Sequence, residues 1–322
     1  MCVVANMNIG CVGSCLSYFA ISLFAMYLLS FARVVILPLF TTGSLKKFKS
    51  RYNANGKSWV IITGTTSGIG LSFCRLFAKL GFNILMISRD ESKLLQVQKE
   101  LSGVKVEYMC IDLSVKFDAA NVARVKKFID GHNVTVLVNN AGLNTSFPKM
   151  FVDNTVAEWE SVLSVNCESL VRLTHMCLPK LIESNCGAVI NVSSLFGELG
   201  GPLVSAYSGT KSFIDSFSRS LAGELKSTGV KIFCSLPGFV VTNMSKIRKT
   251  SLTVISSDQC VETILKQVAC GYSSTLACPH WTHSAIGWFM MNLVPETLRI
   301  GIIAHINRKT NLAALRKIQK TK

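Results

Sequence analysis

The sequence predicts an α/β protein: a Rossmann-like, doubly wound parallel sheet forming a single domain behind an N-terminal membrane anchor. Three observations carry this expectation. Between Trp59 and Leu236, six short apolar runs alternate with longer stretches of helical periodicity, the pattern of successive βαβ units. A glycine-rich turn joins the first run to the first helical stretch, as in dinucleotide-binding folds. The 322-residue chain suits one α/β domain with extensions, and its stretch from Met1 to Ala32 carries no charged side chain.

The elements follow in order. Leu16 to Ala32 is largely Leu, Phe, Ala, Ile, Met and Tyr, and Val34 to Phe40 continues it after Arg33. About 20 apolar residues cross a bilayer, so residues 1–45 read as an anchor. A cleaved signal peptide is the rival reading. Ser30-Phe31-Ala32 has the small-x-small form of a cleavage site, but the positive segment that normally opens a signal is missing. A basic linker, 46–57, follows with Lys46, Lys47, Lys49, Arg51 and Lys57. Positive residues beside a span stay cytoplasmic, which places the rest of the chain in the cytosol and the N-terminus in the lumen. The 12 cysteines lack framework spacing, and those inside predicted elements, such as Cys110 and Cys234, read as reduced core residues. Sequons begin at Asn133, Asn144, Asn191 and Asn243. Asn191 ends a strand where a glycan has no room, which also argues against a lumenal domain. Metal binding is not indicated, since no paired CxxC or His/Cys cluster is present.

Trp59-Val60-Ile61-Ile62 is the first strand, and Leu71 to Leu80 the first helix of the predicted sheet domain, 58–280. Between them stands Thr63-Gly64-Thr65-Thr66-Ser67-Gly68-Ile69-Gly70. Gly64 permits the tight turn, Gly68 a close approach to pyrophosphate, and Gly70 close packing of helix on strand. Free amides at the helix N-terminus then face the phosphates. Three residues separate the first two glycines, where the commoner fingerprint has one. The second strand ends Ile87-Ser88-Arg89, with Asp90 next. An acid at this strand end binds a ribose 2′-hydroxyl, and an arginine accepts a 2′-phosphate. Arg89 therefore points to NADP(H); the competing reading has Asp90 reach back to the ribose. The third strand closes at Cys110-Ile111-Asp112-Leu113, the fourth (Val134 to Val138) at Asn139-Asn140-Ala141-Gly142, the fifth (Ala188 to Val192) at Ser193-Ser194, and the sixth (Val230 to Leu236) at Pro237-Gly238. Singly, such residues mark turns and helix caps; in this order they form one constellation.

Tyr207 and Lys211 complete it. They stand four residues apart in Y-S-G-T-K, and on a helix that spacing shares a face. A cation beside a phenol favours phenolate and lowers its pKa, which suits a proton donor to a developing alkoxide. Ser194 lies thirteen residues before Tyr207, and Asn166 sits in Ser164-Val165-Asn166-Cys167.

At the far end, 281–322 reads as an apolar segment with a basic tail. His283 to Ile306 is interrupted by Pro295, Glu296 and Arg299, and reads as a pocket cover, an interfacial helix pair or a broken span. The formal charge of +16 gathers in this tail and behind the anchor. Because the excess flanks apolar segments, it fits anionic lipid headgroups better than nucleic acid. The ending Lys320-Thr321-Lys322 resembles a dilysine-type endoplasmic-reticulum retrieval signal lacking its second lysine.

From roughly Ser58 to Met244 these motifs together resemble the short-chain dehydrogenase/reductase superfamily. Asn83 to Arg89, Pro237 to Met244 and Ser245 to Lys249 are similar, more loosely, to its membrane-bound branch of 17β-hydroxysteroid dehydrogenases types 3 and 12, the latter also a very-long-chain 3-oxoacyl-CoA reductase. The resemblance implies Tyr207 as acid/base, Lys211 as the residue that lowers its pKa and holds the nicotinamide ribose, Ser194 as oxyanion partner, and Asn166 as holder of a relay water. It implies cofactor contacts from Gly64, Thr65, Ser67, Gly68, Ile69, Gly70 and Arg89, from Asp112 at the adenine edge, from Asn140, Ala141 and Gly142, and from Pro237, Gly238, Val240 and Thr242. The hydride is the cofactor's. The expected function is NADPH-dependent reduction of a lipophilic carbonyl at the endoplasmic-reticulum membrane. A long-chain 3-oxoacyl-CoA is favoured over a 17-ketosteroid because the basic surface suits an anionic head. A homodimer through the helices carrying Asn166 and Tyr207 is also implied. A non-catalytic Rossmann scaffold would have lost catalytic residues, and all four are present; an epimerase or dehydratase would carry a different first glycine spacing and a large C-terminal substrate domain.

Overall fold

A computed structural model describes residues 9–40, 43–115, 117–270 and 274–321. The first eight residues of the expected anchor and Lys322 of the retrieval-like ending lie outside the described residues. The chain opens on helix α1 (Ile9–Phe31), a π-helical turn (Ala32–Ile36) and α2 (Leu37–Phe40). Ser14–Ile36 is apolar and long enough to cross a membrane, and only 6% of its most apolar 18-residue stretch is buried within the protein. A soluble core helix would be mostly buried, so protein packing does not account for this segment's apolarity.

The basic stretch that follows is not a loose connector. Leu45–Tyr52 forms α3, capped by Ser44, with Phe48 and Tyr52 fully buried. These two residues recur at i and i+4, so the basic side chains share the opposite, solvated face. Each buried aromatic contributes about 1.5–3 kcal/mol, which ties the foot of the anchor to the sheet domain.

The main sheet is all parallel, with order β3-β2-β1-β4-β5-β6-β9. Six strands match the sequence reading: β1 (Trp59–Thr63), β2 (Asn83–Ser88), β3 (Val106–Cys110), β4 (Val134–Asn139), β5 (Gly187–Val192) and β6 (Val230–Ser235). Strands β1, β4 and β5 are buried at every residue, which explains their continuous Val/Ile/Leu runs under helices on both faces. Strand β3 is an edge, so Cys110 is exposed there and is not the core residue expected, whereas Cys234 on β6 is buried. A small parallel pair, β7 (Phe239–Val240) and β8 (Val254–Ile255), lies beside the sheet, and the two-residue β9 (Leu276–Ala277) closes its other edge.

Helices α4 (Gly68–Lys79), α5 (Glu91–Glu100) and α11 (Ser257–Cys270) join α3 on one face, packing Phe73, Phe77, Leu94 and Ile264 against it. Helices α6 (Ala119–Gly131), α7 (Val156–Leu163), α8 (Ser169–Glu183) and α10 (Ser205–Glu224) belong to the other face, where Val125, Phe128, Leu173 and Leu221 form the second core. The short α9 (Leu195–Leu199) follows β5. The order reverses between β1 and β4, and in such sheets the ligand crevice lies outside the carboxyl ends of the strands at that point.

The C-terminal apolar stretch divides into α12 (Trp281–Asn292) and α13 (Glu296–Thr321), with Pro295 in the break. Proline cannot donate to a helix interior, and it disfavours helical backbone before it. Helix α12 packs on the anchor: Trp288 Nε1 donates to Ser30 Oγ at 3.0 Å, and its ring meets Tyr27 and Phe31 edge-on. Helix α13 turns Ile303 into a small core with Leu195, Leu199 and Leu236, while Leu298, Ile302 and Ile306 stay exposed.

Candidate active site

The turn after β1 is built by glycines that nothing else replaces. Gly64 and Gly68 hold φ of +68° and +54°, in the left-handed region that favours glycine. At Gly70, a Cβ would sit 2.0 Å from Gly64 O and 2.6 Å from Asn140 Nδ2. The turn is braced from both sides. Thr65 N donates to Ser88 Oγ at 2.9 Å, and Asn140 Nδ2 donates to Thr63 O at 2.8 Å and Gly64 O at 3.2 Å. Asn140 N also donates to Thr63 Oγ1 at 3.0 Å, so both its Nδ2 and its backbone N–H are spent on bracing the turn. Ser67, the N-cap of α4, makes no side-chain capping bond, so the first amides of α4 are not taken by their own cap. Ile69 packs on the core behind the turn, and the Thr242 methyl closes against Gly68, 3.1 Å from where its Cβ would be. A small, rigid turn with uncapped helix amides fits a dinucleotide pyrophosphate.

Asp90 settles into another role. Its Oδ1 accepts from Lys93 N at 3.1 Å and Ser92 Oγ at 2.7 Å, and Oδ2 pairs with Lys93 at 2.6 Å. It is the N-cap of α5, which leaves the exposed Arg89 as the residue at the end of β2 available to a ribose substituent. Asp112, beyond β3, is exposed and accepts from Ser114 N and Oγ at 2.9 and 2.7 Å.

Ser194, Tyr207, Lys211 and Asn166 converge at the carboxyl ends of β4 and β5. Ser194 caps α9 by accepting from Phe196 N at 3.2 Å. Tyr207 and Lys211 share a face of α10, with Lys211 Nζ 5.5 Å from the phenol ring centre. Lys211 Nζ donates to Val192 O at 2.8 Å, and Ser193 Oγ donates to Lys211 O at 3.1 Å, which fixes the lysine to the end of β5. Both side chains are buried. Burial pushes the Tyr207 phenol up, opposed by its hydrogen bond with Ser194. The lowering expected from Lys211 is not the net result here: burial raises the phenol, and the influence that opposes it comes from Ser194. Burial in turn brings the Lys211 ammonium down to about 8, opposed by neighbouring Cys234, Asp215 and Cys167. A phenol held up by burial stays protonated, which suits proton donation from Tyr207.

Asn166 sits in a π-helical turn (Ser164–Glu168) between α7 and α8, a bulge frequent at functional sites. Its Oδ1 accepts from Leu143 N at 2.7 Å, and its Nδ2 donates to Leu143 O at 3.0 Å and Thr210 Oγ1 at 2.8 Å. Both amide hydrogens are committed, so this side chain could hold the expected water only through the second lone pair of Oδ1. Gly142 completes the niche: a Cβ there would stand 3.5 Å from Lys211 Nζ and 3.8 Å from Asn166 Oδ1. Ala141 N donates to Thr63 Oγ1 at 2.9 Å, Pro237 O accepts from Leu195 N at 3.1 Å, and Val240 is buried in β7.

Two supports had no signal in the sequence. Gly238 N donates to His283 Nδ1 at 3.1 Å, and His283 Nε2 lies 3.2 Å from Thr253 O. An accepting Nδ1 assigns the proton to Nε2, a neutral tautomer, and burial keeps the imidazole pKa down. The second is α13. Asn307 Nδ2 donates to Pro202 O at 2.8 Å and Asn311 Nδ2 to Pro148 O at 2.6 Å, while Lys149 N donates to Leu203 O at 2.9 Å. The helix thereby staples the 147–150 and 200–203 loops, the latter leading into Tyr207. Both supports come from residues more than 40 positions away from what they hold, beyond the reach of any local motif.

Comparison with known proteins agrees. The short chain dehydrogenase family model matches residues 58–252. A very-long-chain 3-oxoacyl-CoA reductase of Pyrenophora tritici-repentis is 32% identical over 315 residues, covering 93% of this chain and 90% of the relative. One of Macaca fascicularis is 34% identical over 268 residues, covering 81% and 83%. Among solved structures, a short-chain dehydrogenase from Sphingobium yanoikuyae in complex with NADPH is 29% identical with a TM-score of 0.61, covering 69% of this chain and 87% of its own. A 7β-hydroxysteroid dehydrogenase has a TM-score of 0.70 at 22% identity over 80% and 98% of the two chains, a likeness of fold. The chain belongs to the short-chain dehydrogenase family. It is an oxidoreductase of C=O and CH–OH groups that works with a nicotinamide dinucleotide.

Proposed function

We propose that the protein is an NADP(H)-dependent reductase that converts a long-chain 3-oxoacyl-CoA to the 3-hydroxyacyl-CoA in fatty-acid elongation. The observation that carries the chemistry is the buried Ser194–Tyr207–Lys211 group beside the glycine turn. The substrate class is supported by relatives of that name along most of the chain, and the nucleotide by Arg89, left available once Asp90 caps α5. When bound, the reduced nicotinamide supplies hydride to the carbonyl carbon. Ser194 donates to the carbonyl oxygen and stabilises the oxyanion. Tyr207 Oη delivers the proton to that oxygen. Lys211 holds a positive charge beneath the resulting phenolate, and Asn166 fixes the Leu143 loop and α10 around it. The glycine turn, Thr65, Ser67, Ile69, Asn140, Ala141, Gly142, Asp112, Pro237, Gly238, Val240 and Thr242 hold the dinucleotide.

In this reading 1–45 anchors the protein in the endoplasmic-reticulum membrane and the basic α3 keeps the catalytic domain in the cytosol. The segment 281–322 covers the pocket with one face and meets the membrane with Leu298, Ile302 and Ile306. A homodimer forms through α8 and α10, where Phe213, 42% exposed, stacks on Phe217. The test is NADPH oxidation with a long-chain 3-oxoacyl-CoA and a 17-ketosteroid in parallel. Acyl-CoA turnover with little steroid turnover is expected; the reverse overturns the substrate assignment.

A further inference from the structure

From Phe239 to Ser257 the chain carries Lys246, Arg248 and Lys249 and no acidic residue. All three basic side chains are exposed, and none joins an ion pair among the described residues. Lys246 Nζ donates to Ser146 O at 2.9 Å, and Arg248 Nη1 to Asn243 Oδ1 at 3.4 Å. Both partners are neutral, so neither charge is offset. The path of the segment decides where these charges stand. Just after β7, the Thr242 methyl meets Gly68 at the dinucleotide turn. Met244 then reaches Gly142, where a Cβ would stand 3.8 Å from Met244 Cε and 3.5 Å from Lys211 Nζ. Two residues on, Lys246 bonds to Ser146 on the loop after β4. Residues 242–246 therefore strap the catalytic niche from the first turn to the fourth, with Arg248 and Lys249 just past it. Hydrogen bonds define the strap's shape. Ser245 Oγ donates to Val240 O at 2.6 Å, Ser245 N to Thr242 Oγ1 at 3.1 Å, and Ile247 N to Ser245 Oγ at 3.3 Å. Lys246 holds φ of +59°, a left-handed conformation uncommon outside glycine and kept where the surroundings over-determine it, often at ligand clamps.

We propose that Arg248 and Lys249, presented by the strap that Lys246 latches, bind the phosphates of the substrate's coenzyme A head. Arginine and lysine are the side chains that take phosphate oxygens in charge-assisted bonds, and a rim of one sign draws an anion toward the cleft. Arg248 stands four residues past Met244, at most about 14 Å of chain. A coenzyme A thioester carries its phosphates on a flexible pantetheine arm that spans a gap of that order, whereas a ketosteroid offers no anion to this rim. The phosphates of the dinucleotide are met elsewhere, at the amides of α4 and at Arg89. The inference rests on the acyl-CoA reading given above and names the part of the protein that would recognise the head.

The test uses full-length protein in neutral detergent, where no anionic lipid competes for the rim. Its substrates are a long-chain 3-oxoacyl-CoA and the N-acetylcysteamine thioester of the same acid, which keeps the reacting carbonyl and lacks the phosphates. Arg248→Gln with Lys249→Gln should raise KM for the CoA thioester by about tenfold or more relative to the N-acetylcysteamine thioester, the loss of charge-assisted hydrogen bonds. Added salt should raise the CoA-thioester KM of the wild type more than that of the variant. Free coenzyme A should compete with the substrate in the wild type, and about tenfold more weakly in the variant. A matching rise in KM for NADPH would assign the charges to the dinucleotide and overturn the proposal. Turnover of both thioesters with the two KM values moving together, or not at all, sinks only the head site. Turnover of a 17-ketosteroid with neither thioester accepted sinks the acyl-CoA reading, and the head site with it.

Discussion

Arg89→Ala is the perturbation that isolates the nucleotide assignment. Arg89 is exposed at the carboxyl end of β2, and the neighbouring acid is engaged: Asp90 caps α5 through Lys93 N at 3.1 Å and pairs with Lys93 at 2.6 Å. Removing Arg89 therefore removes a 2′-phosphate partner without freeing a 2′-hydroxyl partner. A charge-assisted hydrogen bond contributes about 1.5–3 kcal/mol, and each 1.4 kcal/mol is about tenfold in binding. KM for NADPH should rise about 10- to 150-fold, while KM for NADH changes by less than about twofold. Isothermal titration with both nucleotides, followed by steady-state kinetics, reads the two effects separately. The companion Asp90→Ala should lower Tm and leave the nucleotide preference unchanged. Equal loss of NADPH and NADH affinity in Arg89→Ala, or a shift in preference in Asp90→Ala, would refute the reasoning.

Three further outcomes are expected. Gly70→Ala forces a Cβ to 2.0 Å from Gly64 O; relief requires the turn to open, costing about 3 kcal/mol or more and abolishing dinucleotide binding, measured by titration. Asn307→Ala with Asn311→Ala unstaples α13 from Pro202 and Pro148; a rise of about tenfold in substrate KM is expected with nucleotide KM unchanged, and limited proteolysis should cut the 147–150 loop faster. Lys211→Met removes a buried ammonium whose pKa falls from 10.5 to about 8. A lysine lowered on folding is destabilising below the folded value, and that penalty fades as pH rises from about 8 to 10.5. At pH 7, without added nucleotide, relief of that penalty is opposed by the unpaired Val192 O that Lys211 Nζ held at 2.8 Å, so the variant should be inactive, and its stability relative to wild type should fall as pH rises above 8 in denaturant titrations.

The parts of this molecule legible in its sequence are those written locally. Strands β1, β4 and β5 announce themselves because burial on both faces demands unbroken apolar runs. The glycine turn and the Tyr207–Lys211 pair are legible because backbone conformation and helix period leave short signatures. Strand β9 is two residues long and has no room for a pattern. The position of Cys110 depended on knowing that β3 is the edge. The sign of the Tyr207 shift turned on burial, a property of the assembled domain that the spacing of two residues does not contain. His283 on Gly238 and Asn307 on Pro202 are tertiary pairings between distant segments, and α3 hid its two buried aromatics within a basic stretch.

The most direct measurement is Tyr207→Phe assayed with NADPH and a long-chain 3-oxoacyl-CoA, nucleotide binding being measured on the same preparation. The expected result is NADPH affinity within about twofold of wild type, and kcat lower by about a hundred- to ten-thousand-fold, the usual contribution of a positioned acid. A kcat within about twofold of wild type, with binding intact, would contradict the assignment of Tyr207 as the proton donor.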